Sequence, residues 1–143
     1  MNVLSTTRDS ITEVSSKGWP LAPELVARGY SNQLVWIVRE CLSINTGSLR
    51  AKENRHLQPI LFKKLHARYE FPEKYQTQTL SKNEANKAAL TNMRTALSSW
   101  RSRVKKKIRD GQSFKEVHES EPSIDQDEFK KFKEKLEDDD SKK

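Results

Sequence analysis

Between residues 85 and 109 the chain carries eight Lys or Arg side chains and no Asp or Glu. The run includes Lys87, Arg94, Arg101, Arg103, Lys105, Lys106 and Arg109, with Trp100 among them. Cations in this density suit non-covalent phosphate recognition. Each one laid against a phosphate releases condensed counterions, and the binding that results weakens as salt rises. No acidic residue within the run compensates its repulsion. Ser98, Ser99 and Ser102 are small enough to let a polyanion backbone come close. The competing reading is a solvated helix face, since cationic helices are common at protein surfaces.

The spacing predicts the helix that would carry them. Ala89, Met93, Ala96, Leu97, Trp100, Val104 and Ile108 recur at steps of three and four. At about 100° per residue they fall within about 120° of one another. Lys87, Arg94, Arg101 and Lys105 then form a strip about 100° to 140° round from Trp100. One face is anchored in a core and its shoulder is cationic. Arg94, Arg101 and Lys105 are expected to line phosphates, with Lys87 at the far end of the strip. Arg103, Lys106 and Arg109 are expected to extend the patch. The sequence does not choose between DNA and RNA, but double-stranded DNA is the leading expectation. KKIR, residues 106–109, matches a short basic nuclear-import pattern, so a nuclear location is expected, with a cytoplasmic one as the alternative.

Other chemistry finds little support. His56, His66 and His118 are widely separated and there is one cysteine, so no zinc-ligand spacing exists. Cys41 falls on the apolar side of its segment and reads as a small hydrophobe. The acidic cluster 137–140 lacks the alternating ligands of a calcium loop. Neither a Gly-rich phosphate loop nor a G-x-S-x-G elbow occurs. No catalytic residue, cofactor, metal or small-molecule substrate is expected, and the chain does not read as an enzyme.

The bulk properties frame this. At 143 residues the chain has the length of one domain. Apolar residues are 34% and charged residues 33%, which predicts a modest core with polar flanks. The formal net charge of +7 is uneven: residues 1–80 carry a net +4, residues 81–110 a net +7 and residues 111–143 a net −4. The acidic end reads equally as a competitor for the basic surface or as an inert tail. A single cysteine excludes an intrachain disulfide and fits a reducing compartment. No run approaches the roughly 18 apolar residues of a membrane span, so no membrane partner is expected. MNVLSTTRDSITEV lacks the apolar centre of a signal peptide.

The fold expected is all-α, a single small domain of four to five helices spanning 18–135. Residues 1–17 read as a flexible arm, with one helical turn around Ile11 and Val14, and 136–143 as a charged, frayed tail. Pro23 opens a short helix that Gly29 should stop. SNQLVWIVRECLSIN, residues 31–45, reads as a buried helix through Leu34, Val35, Ile37, Val38, Cys41 and Leu42, with Trp36 on its flank. The alternation of Val35 and Ile37 also admits a strand. A helix over 48–69 should be divided by Pro59, followed by a polar loop over 72–80. The long helix should open at Ser81, where SKNE (81–84) matches a capping box. A turn at QSFKEV and a short helix at SIDQDEFKKFKEKL should complete the chain. Helix 31–45 is apolar over more of its circumference than a small core needs. Self-association or a protein partner is therefore the alternative function.

Three stretches carry a family likeness: KKLHARYEF (63–71), ALSSWRSRVKKKI (96–108) and SFKEVHESEPSIDQDEFKKFKE (113–134). In this order they resemble the conserved region of plant transposon-encoded proteins of the Ptta/En/Spm type, over about half the chain. That region has a helix ending in Tyr-x-Phe, a longer helix with a tryptophan and basic residues, and an acidic-aromatic helix. Phe129 departs from the pattern, where tryptophan is more frequent. The resemblance implies a nuclear, DNA-associated role and transfers no catalytic residue.

Overall fold

The computed structural model describes residues 8–142. Among them the chain is mostly helical, with six α-helices and four strands of two or three residues. Helix α1 spans Glu24–Cys41. Gly29 does not stop it. A mid-helix glycine costs only about 1 kcal/mol relative to alanine, and Tyr30, Leu34 and Ile37 on the inner face are fully buried. That burial outweighs the glycine, so the two helices expected over 23–45 are one. It ends where the Leu42 amide donates to Val38 O. Tyr30 is the hub of an edge-to-face aromatic cluster, with ring centroids 4.8 Å from Trp19, 5.1 Å from Tyr69 and 6.3 Å from Phe71.

The segment expected as a loose arm is docked from residue 8 onward; the rest of that arm lies outside the described residues. Strand β1 (Asp9–Ser10) runs parallel to β4 (Tyr69–Glu70), and β2 (Glu13–Val14) pairs antiparallel with β3 (Pro20–Ala22). The Ile11 amide donates to Glu70 O at 2.8 Å, and Ile11 is buried in the core. Ile11 and Val14 thus belong to extended chain and not to a helical turn. Gly18 makes the close approach possible. Its φ is +86°, and a Cβ there would stand 2.5 Å from Glu84 O on the long helix.

A 3-10 turn over Lys52–Leu57 feeds helix α2, Gln58–Arg68. Pro59 lies in the first turn of α2, where its missing amide has no helical partner to lose, so it opens this helix and does not divide one. The expected loop after Phe71 contains helix α3, Lys74–Thr77, held by the burial of Tyr75. Helix α4, Thr79–Arg109, starts before Ser81, with Gln78 at its N-cap and no side-chain cap bond. The SKNE box is therefore not formed. Its inner face buries Ala85, Ala89, Leu90, Met93, Leu97, Trp100, Val104 and Ile108, close to the periodicity expected, although Ala96 is only partly covered.

Helices α5 (Phe114–Ser120) and α6 (Gln126–Ser141) each open on a complete capping box, Ser113 with Glu116 and Asp125 with Glu128. Phe129, Phe132 and Leu136 place α6 on the core. The expected tail from 136 continues this helix, and Asp140 pairs with Arg109. No helix among the described residues is long and apolar enough to cross a membrane.

Candidate nucleic-acid interface

The middle of α4 and the loop before the 3-10 turn enclose a groove of about 490 Å³. Arg94, Arg101 and Lys105 line it from α4, together with Thr91, Thr95, Ser98, Ser99 and Ser102. Gly47, Ser48, Leu49 and Arg50 form the opposite wall. The lining thus has four cations, six hydroxyls and no carboxylate. The fourth cation, Arg50, comes from a loop more than forty residues away in sequence, and no local pattern marks it.

The cations are held differently. The Arg94 guanidinium donates to Thr91 Oγ1 at 3.3 Å and makes no ion pair among the described residues. Lys105 and Arg50 likewise have no carboxylate partner there. Arg101 is anchored: its Nε donates to Ile44 O at 3.1 Å, and its guanidinium lies 5.6 Å from the centre of the Phe132 ring. Burial lowers its pKa from the usual arginine value, yet a guanidinium stays protonated at neutral pH. Arg101 therefore ties α4 to the segment leading into the loop and to α6, while keeping its charge at the groove.

The remaining expected residues do not join this surface. Lys87 is exposed on α4 and lies outside the groove lining. Arg103 turns to the buried carboxylate of Glu121 at 3.5 Å, which Arg39 also approaches at 3.6 Å. Lys106 pairs with Asp110 at 3.0 Å. Arg109 makes two hydrogen bonds to Asp140, at 2.7 and 3.2 Å, and the bond to Asp140 raises its pKa. Arg103, Lys106 and Arg109 are thus not part of the groove lining. The helical wheel already carries the signal. They sit about 300°, 240° and 180° round from Trp100, against about 100° to 140° for the strip. KKIR forms the last turn of α4, with Ile108 turned inward.

The other candidates have settled places. Cys41 is half-buried, and burial pushes its thiol up, away from the thiolate a nucleophile needs. Its burial is less complete than its place on an apolar face suggests. His66 Nε2 is 2.8 Å from Asn86 Oδ1, and His118 Nδ1 is 2.9 Å from Ile124 O. No group of three metal-ligating side chains occurs among the described residues.

Comparison with protein-family models, curated proteins and solved structures finds no match to this chain.

Proposed function

We propose that the chain is a helical nucleic-acid-binding module that takes phosphates in the α4 groove, with double-stranded DNA the favoured partner. One observation carries the reading: Arg50, Arg94, Arg101 and Lys105 converge on a single groove with no carboxylate in its lining. A solubilising helix face spreads its charge and pairs it, as Lys106 and Arg109 do. Here the cations from two distant segments face one space and are left without acidic partners. A nuclear location and a transposon-derived origin belong to the same proposal, supported by the basic charge and by the three quoted stretches.

The test titrates a labelled random-sequence duplex through a salt series, using the unchanged chain and Arg94→Glu/Lys105→Glu. Neither side chain is part of the core, so circular dichroism should be unchanged while affinity falls by more than about tenfold. Equal affinity for both proteins refutes the assignment.

A second reading, contact with another protein, has its own observation. Leu25 is 79% and Trp36 52% exposed. They stand eleven residues apart on α1, about three turns, and so share a face. The same face holds Gly29, where an added Cβ would meet nothing within 4 Å. The apolar excess expected over 31–45 is thus narrower than the sequence implies, since Leu34, Ile37 and Val38 are used by the core. Light scattering decides for self-association: a dimer that Trp36→Ala dissociates supports it, and a monomer at high concentration removes it.

A further inference from the structure

The composition of the groove says which part of a nucleic acid it can hold. Single-stranded sites rely on aromatic side chains on which bases stack. Base-edge reading in the major groove needs a helix or ribbon that projects into it and presents Asn, Gln, Arg or Lys to the base edges, whereas the cations here line a recess. Among the described residues the groove lining contains no aromatic ring and no Asn or Gln. It offers Arg and Lys cations and short hydroxyls, which suit phosphate oxygens.

The loop wall adds a second, independent feature. The backbone amides of Gly47, Ser48 and Leu49 donate to no protein acceptor among the described residues. The carbonyls beside them are taken: Asn54 Nδ2 donates to Ser48 O at 2.9 Å and Gln58 Nε2 to Leu49 O at 3.4 Å. In a trans peptide the N–H points opposite the C=O. The Leu49 amide therefore faces away from Asn54, but Leu49 is 1% exposed, so the amides open to a ligand are those of half-buried Gly47 and exposed Ser48. Backbone amides without a protein partner are donors that a phosphate oxygen can take. Here they stand across the groove from Arg94, Arg101 and Lys105.

We infer that the groove grips one phosphodiester strand of a duplex through its phosphates alone, between the α4 cations and the amides of Gly47 and Ser48, without reading bases. The inference rests on the groove being a nucleic-acid surface and specifies its mode. Affinity is then set by charge number and duplex geometry, and sequence has little weight. With four cations in contact, log K should fall with log salt at a slope of about −3.6.

The experiment compares two duplexes of equal length and permuted sequence, and their separate strands, across a salt series. Amide chemical shifts of the isotope-labelled chain are followed with the first duplex. The expected result has four parts: duplex affinities within about twofold of each other, weaker binding to single strands, a slope near −3.6, and displaced Gly47 and Ser48 amide signals. More than tenfold discrimination between the duplexes, or tighter binding to a single strand, overturns the mode while leaving the nucleic-acid reading in place. Unmoved loop amides in a chain that still binds overturn the amide cradle in the same way. No binding to any probe at low salt overturns both.

Discussion

Glu121 is the buried carboxylate of the described structure, 4% exposed, and it stands between Arg39 of α1 and Arg103 of α4. Replacing it with Gln keeps its volume and removes its charge. Stripping one partner from a buried ion pair costs about 3–5 kcal/mol, because the other charge stays buried alone. Two details reduce that figure here. The Arg103 side chain is 49% exposed, so its share lies near the surface value of under about 1 kcal/mol. The amide of Gln also still accepts one hydrogen bond, worth about 1 kcal/mol. Arg39 is the group left exposed to the loss, with a side chain only 20% exposed and a buried Nε that has no hydrogen-bond partner. The expected destabilisation is about 2–3 kcal/mol. For a chain of this length it lowers Tm by about 7 to 10 °C. Thermal unfolding followed by circular dichroism reads it. Arg103→Gln should cost under about 1 kcal/mol, and Arg39→Met combined with Glu121→Leu should recover much of the loss, since an apolar replacement removes both buried charges together. A Glu121→Gln protein within about 0.5 kcal/mol of the unchanged chain would refute the reasoning.

Arg94→Gln and Arg101→Gln should separate binding from stability. Each lowers the salt slope by about 0.9, but only Arg101→Gln also lowers the urea midpoint, because Arg101 holds Ile44 O and covers Phe132. Gly18→Ala should cost about 2–4 kcal/mol, from a positive φ and a Cβ driven into the α4 backbone at Glu84; a urea midpoint near that of the unchanged chain would contradict it. Burial pushes the Tyr69 phenol up to about 12 and raises that of Tyr30 as well. The folded state therefore holds these protons longer than the unfolded state. This contribution is complete below the ordinary value of about 10 and is lost as pH rises from there through about 12. Urea midpoints measured over that range should fall, and they should fall less steeply for Tyr69→Phe.

The long α4 was legible because its apolar residues hold one face for most of its length, and a pattern that long has few alternatives. Gly29 misled because a local propensity of about 1 kcal/mol competes with burial that only the folded chain reveals. The strands left no trace. Two residues cannot show a period of two, and what fixes Asp9–Ser10 is the distant backbone of Tyr69–Glu70. The capping boxes of α5 and α6 were present as Ser113 with Glu116 and Asp125 with Glu128, in the same pattern as the unused box at Ser81. The pattern alone does not say which helix start will use it. Among the site residues, Arg94, Arg101 and Lys105 followed from helical geometry. Arg50 did not, because loop 47–50 meets α4 only through tertiary packing. The acidic partners of Arg103 and Arg109 come from the end cap of α5 and from α6, and a chain cut at Asp110 would lose Phe129, Phe132 and Leu136 from the core as well. Neutralising the acidic end by substitution in the full chain is the sound way to test whether it competes for the groove.

Arg101 has a consequence for how a ligand of the groove would act on the whole molecule. Its guanidinium joins α4, the chain before loop 47–50 and α6, and the groove walls come from α4 and that loop, which only the folded chain brings together. An unfolded chain has no such site. A ligand that selects the assembled state therefore acts as a thermodynamic stabiliser. At a free concentration one hundred times Kd it adds about 2.7 kcal/mol to the unfolding free energy. Melting temperature then becomes a readout of occupancy, and a panel of polyanions can be ranked by the shift each produces without labelling either partner.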